Sequence, residues 1–258
     1  MAICNDASAE SGLFHRLLLM ADAVCLDIQS RREQGLCVDR PFFTLCSYLI
    51  ASIGIGGTMT AWYDETRGGM NMRVCVYGAS SSRIAPLYKE AGRELGILMA
   101  DADMTLIFGG GQTGMMGAVL EGVQSAGGDS IGVSPRFFDV DGILAKSCTE
   151  FYFTDTMRQR KQMMEELADA FIMTPGSIGT YEEFFEILTL KQLKQTDKPL
   201  VVLNTNGFFD PMIQMLTNAV EQDFLGDYIW ELFEICDTPR KAVDWIGQGS
   251  GKAETRAL

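Results

Sequence analysis

From Arg73 onward the chain alternates short apolar runs with longer amphipathic stretches, and this alternation most narrows the folds open to it. The runs are Arg73–Tyr77, Thr105–Phe108, Ser130–Ser134, Phe151–Thr154, Ala170–Thr174 and Leu200–Asn204, with Leu232–Cys236 as a last member. The stretches at about 84–102, 113–126, 156–168, 180–195 and 210–223 carry apolar residues at helical spacing, and a further helix closes the chain. Runs this short and this apolar read as strands buried on both faces. Strands separated by helices pair in parallel, because the helix carries the chain back to the end where it started. The pattern predicts an α/β fold: a Rossmann-like, doubly wound, mostly parallel sheet with helices on both faces. In such a sheet a ligand lies at the carboxyl ends of the strands. The small-residue segments Gly78-Ala-Ser-Ser-Ser82, Gly109-Gly-Gly111 and Pro175-Gly-Ser-Ile-Gly-Thr180 all fall there.

Residues 1–71 do not share the pattern. They hold five Arg and no Lys, whereas the other 187 residues hold eight of each. Residues 41–62 carry no charge over 22 positions, a length that could span a membrane. Many of those positions are Gly, Ser or Thr, which makes transfer into lipid poor. A span would also leave Arg31, Arg32 and Arg40 inside and send the main domain out. We therefore expect no membrane partner, and the stretch starts too far into the chain for a secretory signal. The expected division is an N-terminal extension, 1–71, and a Rossmann-like domain, 72–258. Because the strand–helix pattern begins directly after Met72, translation is expected to start at Met70 or Met72, with 1–69 as an upstream extension.

Composition removes several kinds of chemistry. A net charge of −13 argues against a nucleic-acid partner, whose phosphates need a basic surface, but leaves room for a small anion held by a few local donors. The seven cysteines (Cys4, Cys25, Cys37, Cys46, Cys75, Cys148 and Cys236) form no Cys-x-x-Cys pair and are odd in number. They read as reduced thiols of a cytoplasmic protein, not as a zinc site or a disulfide framework. The single histidine is His15, so the main domain has no imidazole for a Ser-His-Asp or Cys-His site or for a metal. Proton transfer there falls to carboxylates, Lys, Tyr, Cys or water.

Three segments could carry chemistry, and each has a plain structural reading beside the functional one. Gly109-Gly-Gly-Gln-Thr-Gly-Met-Met-Gly117 leaves a strand and opens a helix, so it is either a phosphate loop or a tight turn. Its spacing matches neither the dinucleotide fingerprint nor a Walker A loop. Pro175–Thr180 makes the same transition and ends in Thr180-Tyr-Glu-Glu183. Thr-x-x-Glu is the pattern of a capping box, which would make Thr180 the N-cap and Glu183 its return partner. Glu182, Glu183 and Glu186 together exceed what capping needs. Arg158, Arg160 and Lys161 stand near the start of a helix, where cations oppose the dipole; they suit a nearby anion or a solvated basic face.

Taken together these segments resemble the LOG family, the cytokinin riboside 5′-monophosphate phosphoribohydrolases. The resemblance runs from about Met72 to about Ile235. It rests on Gly109–Gly117, on Met157-Arg-Gln-Arg160-Lys161, and on Pro175–Glu183, which follows the family's P-G-G-x-G-T-x-x-E except that Ser177 stands where glycine is usual. Serine adopts a positive φ at greater cost than glycine, so it could alter the loop or add a hydroxyl donor. The resemblance implies hydrolysis of the N-glycosidic bond of an N6-modified adenosine 5′-monophosphate, or of AMP, to free base and ribose 5-phosphate. It implies Arg160 and Glu183 as the catalytic pair. Substrate contacts are expected from Gly109, Gly110, Gly111, Gly114, Glu150, Lys161, Gly176, Ser177, Ile178, Gly179, Thr180 and Glu182. No metal or cofactor is implied, and a homodimer is. Alternatives are a broader nucleoside 5′-monophosphate nucleosidase and a non-catalytic nucleotide carrier. Chains of this kind have also been called lysine decarboxylases, but no lysine here stands in a context that suggests a pyridoxal phosphate site.

Overall fold

The computed structural model describes residues 72–140 and 142–248. The extension 1–71, with the uncharged stretch 41–62, the expected start site Met70 and His15, lies outside the described residues.

The elements follow the order read from the sequence, with ends shifted by a few residues. They are β1 (Arg73–Tyr77), α1 (Pro86–Asp101), β2 (Thr105–Phe108), α2 (Gly114–Ser125), β3 (Ser130–Pro135), β4 (Glu150–Thr154), α3 (Met157–Leu167), β5 (Ala170–Met173), α4 (Ile178–Gln192), β6 (Leu200–Leu203), α5 (Asp210–Glu221), β7 (Glu234–Cys236) and α6 (Pro239–Gly247). Short 3-10 turns at Arg136–Phe138, Thr205–Gly207 and Asp227–Glu231 fill the longer connections. All seven strands run parallel in one sheet, in the order β4-β3-β2-β1-β5-β6-β7.

Strand alternation divides the core. In β1, Val74 and Val76 point to one face and Cys75 and Tyr77 to the other. The first face packs on Leu95 and Met99 of α1, Val119 and Val123 of α2, and Ala242 and Ile246 of α6. The second packs on Met164 of α3, Phe184 and Ile187 of α4, and Met212 and Leu216 of α5. Each fully buried Leu, Ile or Phe contributes about 1.5–3 kcal/mol relative to exposure, so both faces are held firmly. On the first face α1 and α2 touch backbone to backbone. A methyl added at Gly96 would come 2.7 Å from the Val123 amide nitrogen and 3.0 Å from Gly122 Cα, so neither helix tolerates a side chain there.

The topology fixes where a ligand can sit. From β1 the chain steps outward through β2 and β3 to β4, then crosses back to β5 on the other side of β1. The connections after β1 and β5 therefore leave in opposite directions, opening a crevice at the carboxyl ends of the central strands. Its floor is stitched together: Thr174 donates from both its amide and its hydroxyl to the Tyr77 carbonyl (2.8 and 2.7 Å), and the Ala79 amide donates to the Pro175 carbonyl (3.2 Å).

Candidate active site

The start of α3 is fixed by a capping box. Thr156 is the N-cap; its hydroxyl accepts from the Gln159 amide (3.2 Å), and the Gln159 side chain accepts from the Thr156 amide (3.1 Å). Arg160 follows immediately and turns down onto the sheet. Its Nε donates to the Val133 carbonyl at 3.2 Å, and its Nη1 donates to Glu183 Oε1 at 2.7 Å. The two side chains are 10% and 9% exposed, so the pair is desolvated on both sides. A Thr156→Ala variant is expected to lose about 1 kcal/mol, the usual worth of such a cap. In a domain of this size that lowers the melting midpoint by roughly 2–4 °C, readable by thermal unfolding.

Glu183 is not a capping residue. α4 begins at Ile178 with Ser177 as N-cap, so Thr180 lies inside the first turn and Glu183 a full turn further on. The capping box expected at Thr180 and Glu183 is thus corrected. The glycine-rich approach lets the helix start three residues earlier than the capping pattern implied, and Glu183 is freed to face Arg160. Burial pushes the Glu183 carboxyl above its usual range; the Arg160 charge and hydrogen bond pull against that, and Glu182 adds to the rise. Beneath the pair, burial also pushes the Cys75 thiol and the Tyr77 phenol well up, with Glu183 reinforcing both, so each stays neutral.

Lys161 contacts Glu182, and Glu186 at 3.0 Å. Burial works against its charge, but the hydrogen bonds it donates to these two carboxylates outweigh that and hold the ammonium above its ordinary value. Arg158 is exposed and joins neither group.

The two glycine loops differ in what they offer. At α2, the Met115 and Met116 amides already donate to the Ala79 carbonyl (2.8 and 3.2 Å), Gln112 donates to Ile143 (3.1 Å) and Gly117 to Thr113 (3.1 Å). Gly114 has φ +68 and lies where a Cβ would come 2.5 Å from the Ala79 carbonyl oxygen. This loop is chiefly a tight strand–helix turn that locks α2 onto the β1 connection. At α4 the first turn faces outward. Ser177, Ile178 and Gly179 are exposed, a Cβ at Gly179 would meet nothing within 4 Å, and the Ser177 side chain makes no capping bond. Ser177 has φ −113 and ψ −160, an extended conformation open to any residue, so the serine brings no strain. Gly176 is needed because Thr180 packs over it where a side chain would stand.

An open groove of about 750 Å³ lies elsewhere, lined by Lys89, Arg93, Gln112, Thr113 and Lys146. Its cations already have partners: Lys89 on the Ser82 carbonyl, Arg93 on Glu121, Lys146 on Asp139. Size alone is a poorer guide to chemistry than a buried charge pair at the strand ends.

Comparison with known proteins shows the family. Residues 116–246, just over half of the chain, match the model of the family described as "Possible lysine decarboxylase". A cytokinin riboside 5′-monophosphate phosphoribohydrolase of Arabidopsis thaliana is 35% identical over 163 residues, 63% of this chain and 76% of the relative. Another, of Oryza sativa subsp. japonica, is 34% identical over 171 residues, 66% of this chain and 71% of the relative. The chain belongs to the LOG family.

Among solved structures, the fold of this LOG-family chain is shared by the molybdenum cofactor binding protein of Rippkaea orientalis (TM-score 0.55, 19% identity, 70% of this chain and 98% of that one). It is shared too by the molybdenum cofactor carrier protein of Chlamydomonas reinhardtii (TM-score 0.54, 21% identity, 70% and 99%).

Of the residues the LOG resemblance singles out, Arg160, Lys161, Glu182 and Glu183 come together, beside the loop Gly176–Thr180. Gly109 abuts Arg160, Gly110 packs on Phe151, Gly111 pairs with Leu144, and Gly114 is taken up by the β1 connection. Glu150 opens β4 at the amino end of the sheet, where the Tyr152 hydroxyl donates to it at 2.7 Å; it is not brought to the carboxyl-end cluster. The sequence reading missed the Val133 carbonyl and the Cys75–Tyr77 floor. A backbone carbonyl has no signature in side-chain types, but the alternation in β1 does put Cys75 and Tyr77 on one face. Among the described residues no group of three or more His, Cys, Asp or Glu could hold a metal, and no helix is long and apolar enough to cross a membrane.

Proposed function

We propose that this chain hydrolyses the N-glycosidic bond of an N6-modified adenosine 5′-monophosphate, or of AMP, releasing the free base and ribose 5-phosphate, with Arg160 and Glu183 as the catalytic pair. The observation that carries the proposal is the buried Arg160–Glu183 contact beside the open first turn of α4. Cleavage sends the electron pair of the C1′–N bond to the base, and water supplies the hydroxyl that ends on C1′. The transition state is a ribose with oxocarbenium character. A desolvated carboxylate stabilises that cation, or takes the proton of the attacking water, more strongly than one in bulk solvent. Arg160 keeps Glu183 ionised and fixes its orientation through a second tie to Val133.

The phosphate fits the amides of Ile178, Gly179 and Thr180, where the helix dipole favours an anion. The Ser177 hydroxyl adds a donor that glycine lacks. Lys161 offsets part of the negative charge of Glu182 and Glu186, which would otherwise repel the phosphate more strongly. The same ion pairs argue against a decarboxylase that works through a lysine Schiff base: that chemistry needs a neutral amine, and Lys161, the lysine at the site, is held charged.

The test is chromatographic detection of free base after incubation with AMP, isopentenyladenosine monophosphate, GMP and CMP. Release from the adenine nucleotides, and chiefly from the modified one, is the expected outcome. Equal release from all four makes the chain a broad nucleosidase; AMP binding without release makes it a carrier.

A further inference from the structure

We infer that Gly109 is a positioning residue: the missing side chain at the exit of β2 forms the seat on which the Arg160 guanidinium lies when it faces Glu183. The inference rests on the reading of Arg160 and Glu183 as the catalytic pair.

The three consecutive glycines are glycine for different reasons. Gly110 has φ +77, a conformation that L side chains rarely adopt. A methyl at Gly111 would come 2.6 Å from Met116 Cε, the free end of a flexible side chain that can rotate away. Gly109 has no positive φ, so its backbone suits any residue. What excludes a side chain there is contact. A Cβ at 109 would overlap Arg160 Nη2 and stand 3.3 Å from Cζ and 3.2 Å from Met116 Sδ.

The guanidinium cannot simply lean aside. Its Nε is tied to the Val133 carbonyl and its Nη1 to Glu183. Its third corner, Nη2, rests against Gly109. The planar fork is thus held on three sides by a carbonyl of β3, a carboxylate of α4 and the bare backbone after β2. A methyl at 109 leaves the main chain undisturbed and displaces the far end of the arginine, so the site yields while the fold stays.

Gly109→Ala should therefore fold, keep most of its KM for AMP and lose turnover by about 10²-fold, the scale of a displacement of about 1 Å at a catalytic group. Its acid limb should move to higher pH, because the cation that keeps Glu183 ionised is no longer in place. The decisive comparison adds the same substitution to Arg160→Lys. Lysine has one nitrogen and no fork to strike, so alanine at 109 should cost nothing further, in turnover or in the urea unfolding midpoint. Equal losses in both backgrounds, or a fully active Gly109→Ala, overturn the inference. The unfolding cycle reads the seat without reference to catalysis. If the wild type releases no base from any nucleotide while that cycle still shows coupling, the proposed function falls and the seat stands.

Discussion

Replacing Glu183 by glutamine is expected to leave a folded protein that releases base from AMP at a rate lower by about 10²-fold or more, the usual scale for a lost acid–base group. Glutamine has the same shape and keeps a carbonyl oxygen to accept from Arg160 Nη1, so the packing of this buried position is preserved. It cannot carry the negative charge that a cationic ribose needs, nor accept a proton from water. The helix start is untouched, because Ser177 holds the N-cap position of α4 and Glu183 takes no part there. The stability cost is that of pairing a buried guanidinium with a neutral amide, about 1–3 kcal/mol. Base release followed by chromatography, alongside a thermal melt, separates the two effects. A folded variant with wild-type turnover removes Glu183 from the chemistry.

That expectation depends on where α4 begins, which is where the sequence was least legible. The strands were plain because each is a short apolar run, and Arg73–Tyr77 and Thr105–Phe108 have the limits read from the sequence alone. The sheet order was plain in kind, since helices between strands enforce parallel pairing. The first turn of α4 was not. Thr180-Tyr-Glu-Glu183 satisfies the capping pattern, and only the packing of Thr180 over Gly176 turns it into helix interior. The glycine segment after β2 was ambiguous for a related reason. Glycine is equally the residue of a phosphate loop and of a close approach, and composition does not separate them. Here the Ala79 carbonyl already occupies two amides at the start of α2, while the first turn of α4 faces outward. Arg160 and Glu183 lie 23 positions apart in the chain, and no periodicity links them. Their pairing came from family resemblance first, and the fold supplies its physical cause: α3 and α4 lie on the same face of the sheet.

The same geometry predicts a large and pH-dependent effect at the other partner. Arg160→Met fills much of the volume but leaves Glu183 buried without a counter-charge. Breaking a buried ion pair from one side costs about 3–5 kcal/mol, and this should appear in full at neutral pH. The sign of the pH dependence follows from the carboxyl. Burial already pushes its folded-state value above the unfolded one, and removing Arg160, which pulls it down, raises it further. A carboxyl raised on folding binds its proton more tightly in the native state. Its stabilising contribution is therefore present below the unfolded value and is lost as pH rises through the folded one. The deficit of Arg160→Met against wild type should shrink toward the ordinary carboxylate range and widen as pH increases. Urea unfolding of both proteins across that range measures it. A deficit that does not change with pH would mean that the lost packing of the long side chain, not the stranded Glu183 charge, causes the instability. Turnover should fall at every pH: where the raised carboxyl is protonated it has lost its charge, and where it is ionised it has lost the arginine that orients it. Adding Glu183→Gln to Arg160→Met should restore stability at neutral pH without restoring turnover, because the buried charge is then gone and so is the group that the chemistry needs.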